Sequence, residues 1–181
     1  MIRVVEASQD QVRSLSRLDG AFLVDSQLAL RLDHGRLSYT VVPIVAYTKT
    51  YPQDEIGSGA AAPAVTFIAF ADDRHVGRID LSKHWNGFAF IDYIVVDRML
   101  RRSGVARALL QQAIQWAQAQ ALAGLMAETQ HINVAACKLY ECCGFQLSGF
   151  DADLYRAQEQ FANEVALFLY WHAKAHRAPA A

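Results

Sequence analysis

The sequence predicts a single α/β domain in which a mixed, mostly antiparallel sheet is flanked by helices. Residues 64–82 form two β-prone segments around a short polar turn, which is typical of a hairpin. Residues 87–150 then alternate strand, helix, strand, helix and strand, a pattern typical of a sheet covered by helices. The chain has 181 residues and 53% of them are apolar. This is enough for a single domain over residues 1–181 with one hydrophobic core.

The first third of the chain carries the weaker structural signals. Residues 2–6 predict a short strand, and Ser8 is a suitable cap for a helix that ends near Leu18. Residues 22–37 mix apolar and polar positions without a period, which predicts irregular structure with some strand. Residues 37–47 are rich in Val, Ile and Tyr and predict an extended segment. Residues 48–63 contain two prolines and two glycines among small side chains, which predicts a mobile loop.

The elements after residue 63 have clearer boundaries. The hairpin strands are expected at 64–71 and 76–82, and the nearly continuous apolar segment 87–96 predicts a central buried strand. A helix over 104–121 places apolar side chains three and four residues apart, at Val105, Leu109, Ala113, Trp116 or Ala117, and Ala121. The remaining predicted elements are a strand at 125–129, a helix from Asn133 to Cys142 closed by Gly144, a strand at 145–150, a helix near Gln158 and a strand at 165–171.

Charge and hydropathy exclude several classes of protein. Seventeen basic and eighteen acidic side chains give a net charge of −1, which argues against a basic nucleic-acid coat and against a polybasic membrane binder. No signal peptide is visible, and no apolar run approaches the roughly 20 residues that span a bilayer. We therefore expect a cytoplasmic protein with no nucleic-acid or membrane partner.

The cysteines give no sign of a disulfide framework or a metal site. Cys137, Cys142 and Cys143 are odd in number and lie within seven residues. His131 is nearby, but no second pair of ligands follows at the spacing of a zinc finger. We expect buried or half-buried free thiols and no metal.

A cluster of arginines marks a candidate anion site. Arg98, Arg101, Arg102 and Arg107 fall within ten residues, between the predicted buried strand and the helix that follows it. Gly104 allows a ligand to approach the backbone closely, and the first N–H groups of a helix lack partners, so a phosphate group fits here. A solvated basic turn is the alternative. Neither the P-loop nor the dinucleotide-binding glycine pattern is present.

Two motifs resemble those of the GNAT family of N-acetyltransferases. Arg101-x-x-Gly104-x-Ala106 after a strand is similar to the acetyl-CoA pyrophosphate loop of that family. The segment 133–145, with Asn133, Tyr140 and Gly144, is similar to its second hallmark. Residues 76–155 further resemble the streptothricin acetyltransferases, although Tyr93 stands where those enzymes tend to carry a second carboxylate.

The resemblance implies a GNAT-like fold, acetyl-CoA as co-substrate and a set of binding positions. Backbone groups of the loop would hold the pyrophosphate, and an exposed strand edge together with the start of the later helix would hold the pantetheine. Tyr140 would protonate the leaving sulfur. The cofactor-binding positions implied are Ile94, Val95, Val96, Arg101, Arg102, Ser103, Gly104, Val105, Ala106, Asn133 and Ala136.

Acetyl transfer to an amine also requires a base. An amine with a pKa near 10.4 is only about one part in a thousand neutral at pH 7.4, so its deprotonation costs about 4 kcal/mol. Asp92 and Glu128 both interrupt apolar strands, where a charge needs a partner or a cleft. Asp92 is the first choice for the base, acting through a water, and Glu128 is the alternative contact for the amine. Each has a structural alternative: a hydrogen bond within the sheet for Asp92, loop orientation for Glu128, packing for Tyr140 and capping for Asn133.

The sequence therefore predicts an acetyl-CoA-dependent N-acetyltransferase that acts on a small cationic primary amine. A streptothricin-type antibiotic is the specific expectation, with direct attack of the amine on the thioester. The alternatives are acetylation of a peptide amine or polyamine, and a non-catalytic acyl-CoA sensor. A homodimer is common among proteins of this kind.

Overall fold

A computed structural model describes residues 1–15, 17–51 and 63–173. The strands are β1 (Ile2–Ala7), β2 (Phe22–Asp33), β3 (Arg36–Lys49), β4 (Val65–Ala71), β5 (Arg74–Lys83), β6 (Ala89–Val96), β7 (Gly124–Gln130), β8 (Gln146–Asp151) and β9 (Ala166–His172). The helices are α1 (Gln9–Ser14), α2 (Val105–Ala119) and α3 (Val134–Cys142), with 3-10 turns at Arg98–Leu100 and Glu159–Phe161. No helix within these ranges is long and apolar enough to cross a bilayer.

Seven strands form one sheet in the order β1-β4-β5-β6-β7-β9-β8, while β2 and β3 form a separate ribbon. Within the described residues, β6 and β7 are parallel and every other neighbouring pair is antiparallel. The predicted class, a mixed and mostly antiparallel sheet flanked by helices, is confirmed.

Helix α1 begins where the sequence predicts but ends earlier. Ser8 Oγ accepts a hydrogen bond from the Gln11 backbone N–H, and Gln11 Oε1 accepts one from the Ser8 N–H, which is a complete capping box. Leu15 then turns to an extended conformation, and Leu18 is buried instead of continuing the helix. The prediction of a helix reaching Leu18 is therefore wrong.

The segment 22–37, predicted to be irregular, forms most of a long hairpin. β2 and β3 are joined by a two-residue turn in which His34 and Gly35 have φ values of 46° and 75°, as a type I′ turn requires. A change of register between Val24 and Ser26 interrupts the strand alternation, which explains why no period is visible in the sequence. The predicted loop 48–63 falls partly on β3, which includes residues 48 and 49, and its residues 52–62 lie outside the described residues.

Helix α2 packs across the centre of the sheet. Its fully buried side chains are Val105, Leu109, Leu110, Ala113 and Ala117. The sequence left open whether Trp116 or Ala117 lies on the apolar face. Ala117 is in the core, while Trp116 is partly buried against it. Ala121, predicted on the apolar face, is exposed beyond the end of the helix, because the chain there turns through a φ of 54°.

The helix predicted near Gln158 is a single 3-10 turn at Glu159–Phe161. The Gln158 N–H donates to the Tyr155 carbonyl and the Glu164 N–H to the Phe161 carbonyl, so the segment forms separate turns rather than one continuous helix. The cysteines also differ in part from expectation: Cys137 is buried and Cys143 half-buried, but Cys142 is exposed on the last turn of α3. Among the described residues, no group of three or more His, Cys, Asp or Glu side chains could hold a metal ion.

Candidate active site

The sheet opens between β6 and β7, and this split organises the site. The two strands pair only from Ala89 with Leu125 to Ile91 with Ala127, and then diverge. At the same point β6 carries a β-bulge: Asp80 of β5 pairs with Tyr93 and Leu81 with Ile91, so Asp92 is the extra residue. Residues 93–96 therefore have a strand neighbour on the β5 side but, among the described residues, none on the β7 side.

The open edge of β6 presents the backbone groups of alternate residues. The Asp97 N–H donates to the Val76 carbonyl at 2.9 Å, so Asp97 and, by alternation, Val95 direct their polar groups toward β5. Ile94 and Val96 direct theirs into the split. Ile94 and Val96, two of the three positions predicted to bind the pantetheine, therefore have backbone groups at the open edge. The third, Val95, has its backbone groups toward β5 and a buried side chain.

The predicted anion loop lies at the end of β6 and has the required geometry. Arg102 and Gly104 have φ values of 62° and 92°, which turn the chain sharply into α2. Gly104 occupies the N-cap position and offers no side-chain cap. The backbone N–H groups of Gly104, Val105 and Ala106 consequently have no partner among the described residues, and they point out of a helix N-terminus.

The Arg102 side chain of this loop can meet an anion, whereas the Ser103 hydroxyl already donates to the Leu100 carbonyl at 2.5 Å. Arg102 and Ser103 are exposed, and Arg101 is half-buried. The loop is tied to the domain through Asp97, whose carboxylate accepts a hydrogen bond from the Met99 N–H at 2.9 Å and pairs with Arg74 at 2.8 Å. The basic turn is therefore a structured loop with open backbone donors.

The start of α3 is capped by Asn133, as the sequence predicts. Its Oδ1 accepts a hydrogen bond from the Ala136 N–H at 3.2 Å. The Asn133 amide nitrogen has no hydrogen-bond partner among the described residues and remains available to a ligand. Ala136 has its N–H already engaged, so its backbone donor is not free for the cofactor. Gly144 closes the helix with a φ of 89°, which confirms the predicted left-handed cap.

Tyr140 is buried on the inner face of α3, with its ring 5.2 Å from that of Phe145. Its hydroxyl has no hydrogen-bond partner in the described part of the chain. Burial raises the pKa of Tyr140, and the nearby Cys137 and Glu128 raise it further. The phenol is therefore held in its protonated form, as a proton donor must be.

Glu128 lies on β7, close enough for its charge to act on Tyr140. The Tyr155 hydroxyl donates a hydrogen bond to Glu128 Oε1, and the Gln130 amide donates to the Tyr155 oxygen at 2.9 Å. Burial raises the pKa of Glu128 to about 7. A carboxyl group with that pKa can accept a proton and release it again near neutral pH.

Asp92, the other predicted base, faces a different set of neighbours. Its Oδ1 accepts a hydrogen bond from the Ser82 hydroxyl at 2.8 Å, and its buried Oδ2 has no partner among the described residues. Burial raises the pKa of Asp92, and the Ser82 hydrogen bond opposes the rise. Glu128, rather than Asp92, is the carboxylate whose charge reaches Tyr140.

Sequence reasoning missed a polar cluster that lies beside Glu128. Its members come from the end of β3, the β7–α3 connection and the segment before β9, and they line or adjoin a cavity of about 350 Å³. Lys49 and Glu164 form an ion pair there, and the Tyr51 hydroxyl donates to the second Glu164 oxygen at 2.5 Å. The charge of Glu128 acts on Tyr51 as well. No local signal could have identified the cluster, because Lys49 and Tyr51 are more than 100 positions from their partner Glu164.

Comparison with known proteins gives consistent matches over nearly the whole chain. Residues 36–145 match the family model described as the acetyltransferase (GNAT) family. A streptothricin acetyltransferase from Escherichia coli is 34% identical over 92% of this chain and 94% of its own. Streptothricin acetyltransferase A from Bacillus subtilis is 31% identical over 93% and 98%.

Solved structures lead to the same group of proteins. A Bacillus anthracis protein named for streptothricin acetylation, solved in complex with acetyl coenzyme A, has a TM-score of 0.86 and 35% identity, and the match covers 96% of this chain and 100% of that one. A nourseothricin acetyltransferase has a TM-score of 0.80 and 26% identity, with coverages of 94% and 98%.

Proposed function

We propose, from the premise that the chain belongs to the acetyltransferase (GNAT) family, that it acetylates an amino group of a streptothricin-type antibiotic. The chain is an N-acetyltransferase, and acetyl-CoA is its co-substrate. The observation that carries the proposal is the position of Glu128, which directly follows the last residue of β7 that pairs with β6 and whose carboxylate accepts a hydrogen bond from Tyr155. The class of antibiotic is inferred from the names of two relatives whose matches cover more than nine tenths of the chain.

The described residues offer a cradle that fits acetyl-CoA. The unpartnered N–H groups of residues 104–106 suit the pyrophosphate, and the open backbone edge at Ile94 and Val96 suits the amide-containing pantetheine arm. The Asn133 amide lies at the start of α3 and can donate to the same arm. When bound, acetyl-CoA supplies the acetyl group as a reactive thioester.

Two side chains would then carry out the proton transfers of the reaction. Glu128 takes a proton from the substrate ammonium, which leaves a neutral amine able to form the new C–N bond. Tyr140 gives its proton to the sulfur as the C–S bond breaks, so the thiol leaves neutral. The raised pKa values of both residues support these roles, since Glu128 titrates near neutral pH and Tyr140 stays protonated. Asp92 remains the alternative base, at the bulge on the other side of the split.

The test is release of free thiol from acetyl-CoA in the presence of an amine panel. The panel contains streptothricin, a polyamine and a peptide with a free N-terminus. Thiol release and a mass gain of one acetyl group on streptothricin are the expected results. Acetyl-CoA binding without thiol release from any amine would contradict the enzymatic proposal and support a sensor. Thiol release with the peptide or polyamine but not with streptothricin would contradict the proposal that streptothricin is the substrate.

The proposed setting is the cytoplasm, without a nucleic-acid or membrane partner. The net charge of −1 supports the absence of these two partners. We also propose a homodimer. The ribbon of β2 and β3 leaves large apolar side chains open to solvent, with Leu23, Leu32 and Val45 at 63%, 64% and 92% exposure. Light scattering after size exclusion is expected to give twice the monomer mass, and a monomer would contradict this part of the proposal.

A further inference from the structure

The ammonium group of Lys49 is enclosed by side chains that are suited to hold a cation. Its nitrogen lies 5.0 Å from the ring centroid of Tyr51 and 4.9 Å from that of Phe161. Glu164 completes the enclosure as the ion-pair partner, and its own side chain is only 6% exposed. We call Tyr51, Phe161 and Glu164 the ammonium cage. Two aromatic rings and one buried carboxylate are the groups that recognise alkylammonium ligands.

The cage is built to keep its shape. The Tyr51 hydroxyl donates to Glu164 at 2.5 Å, and the Tyr51 and Phe161 rings are 5.4 Å apart. Phe22 of β2 stacks on the outer face of Tyr51 at 5.8 Å. The Glu164 N–H donates to the Phe161 carbonyl at 2.8 Å, which holds the acid and the ring on one short turn. Rings and carboxylate are therefore held in place by contacts that do not involve Lys49.

The cage borders a cavity that extends to the end of β7, the strand that carries Glu128. Lys49, Phe161 and Glu164 line the cavity of about 350 Å³. His131 and Ile132, which directly follow β7, line the same cavity. An amine whose reacting nitrogen is near Glu128 can therefore extend other groups toward the cage.

The Lys49–Glu164 pair is poorly explained as a stabilising contact. The Lys49 side chain is only 14% exposed, and burial lowers the pKa of Lys49, so its ammonium loses hydration in this position. Buried ion pairs seldom stabilise a fold more than apolar side chains of similar size. A ligand ammonium that replaces Lys49 would keep the contacts with the cage and return the lysine to water, which makes the exchange feasible.

We infer that the ammonium cage is a second cation subsite, which Lys49 occupies in the free enzyme and which a non-reacting ammonium group of the substrate takes over. The inference rests on the proposed function in placing the reacting amine near Glu128. It defines the substrate class more narrowly: the preferred acceptors carry at least two ammonium groups. Lys49 then acts as an internal competitor, and it reduces apparent affinity in proportion to its occupancy of the cage.

The test is calorimetric binding of α,ω-diaminoalkanes of three to six carbons against the corresponding monoamines, without acetyl-CoA. Lys49→Met is expected to tighten diamine binding about tenfold, and Glu164→Gln to weaken it by a similar factor, the size of one desolvated cation contact. Monoamine binding is expected to change by a smaller factor in both variants, because a monoamine cannot contact Glu128 and the cage at the same time. Arg36→Met, which removes an exposed cation at the start of β3, is the control and should change neither.

Thermal unfolding identifies any variant that fails to fold. Phe161→Leu keeps the ion pair and removes one ring, so it tests the cage if Lys49→Met is unstable. This variant is expected to weaken the binding of diamines but not that of monoamines. Equal effects of these variants on diamines and monoamines would overturn the inference, even if streptothricin is acetylated. Selective loss of diamine binding in Glu164→Gln would support it, even if no amine is acetylated and the proposed function fails.

Discussion

Glu128 accepts a hydrogen bond from the hydroxyl of Tyr155, a residue 27 positions later in the chain. The Tyr155 oxygen is itself fixed by the Gln130 amide, which lies on the same strand as Glu128. One carboxylate oxygen is thus oriented by a neutral donor, with no cation bonded to it among the described residues. Burial therefore dominates and raises the pKa of Glu128 to about 7.

The pKa of Glu128 predicts the acid limb of the rate profile. A base is active when it is deprotonated, so kcat/KM should rise with pH up to about 7 and then level. Glu128→Gln should lower kcat/KM about 100-fold or more and remove that limb. Initial rates from pH 5 to 9 check this. Asp92→Asn is the comparison, and loss of the limb in that variant alone would transfer the role of base to Asp92.

Tyr140→Phe should lower kcat while leaving the affinity for acetyl-CoA unchanged. The hydroxyl makes no hydrogen bond within the described residues, and Phe keeps the ring contact with Phe145. We therefore expect the melting temperature to stay close to that of the parent and kcat to fall about 100-fold. Steady-state kinetics and calorimetry with acetyl-CoA separate the two effects. A kcat equal to that of the parent would remove Tyr140 from the mechanism.

Gly104→Val should weaken acetyl-CoA binding at least tenfold. Gly104 has a φ of 92°, a conformation that a β-branched residue resists, and its backbone belongs to the open donors of the loop. The nearest atom to an added Cβ is 3.9 Å away, so the substitution does not clash with the protein itself.

Gly35→Val is the matched control for Gly104→Val. Gly35 has a φ of 75° in the turn of the β2–β3 ribbon and also has open space around it. Both variants should lose about 1–2 kcal/mol of unfolding free energy from the left-handed conformation. Only Gly104→Val should lose cofactor affinity, and equal affinities would contradict the loop assignment.

Gly77→Ala should destabilise the fold by about 1–3 kcal/mol. An added Cβ would lie 2.8 Å from the Val105 side chain and 3.1 Å from that of Leu109, where α2 crosses the sheet. Gly149→Ala is the control, because its nearest contact, Phe168, is at an ordinary 3.9 Å. Urea unfolding measures both. A Gly77→Ala midpoint as high as that of Gly149→Ala would show that α2 shifts without penalty.

The sequence predicted best where the decisive interactions are local. The capping box of Ser8, the Asn133 cap and the glycine at the start of α2 each depend on neighbours within a few residues, and all three are present in the structure. The extended segment predicted at 37–47 lies within β3, but the regular strand β2 was missed, because its bulge shifts the alternation and its outer positions carry exposed apolar side chains. The helix near Gln158 was overpredicted, because the propensity of a short segment does not reveal how soon the next strand must begin.

By itself the sequence determined the fold class, the family and the chemistry of acetyl transfer, because periodicity, caps and motif spacing are properties of neighbouring residues. Only the tertiary structure placed Tyr155 against Glu128, 27 positions away, and Lys49 against Glu164, 115 positions away. The physical reason is that pKa values and ion pairs depend on how deeply side chains are buried and on the distances between them. For residues that are remote in the sequence, burial and distance are set only when the chain folds.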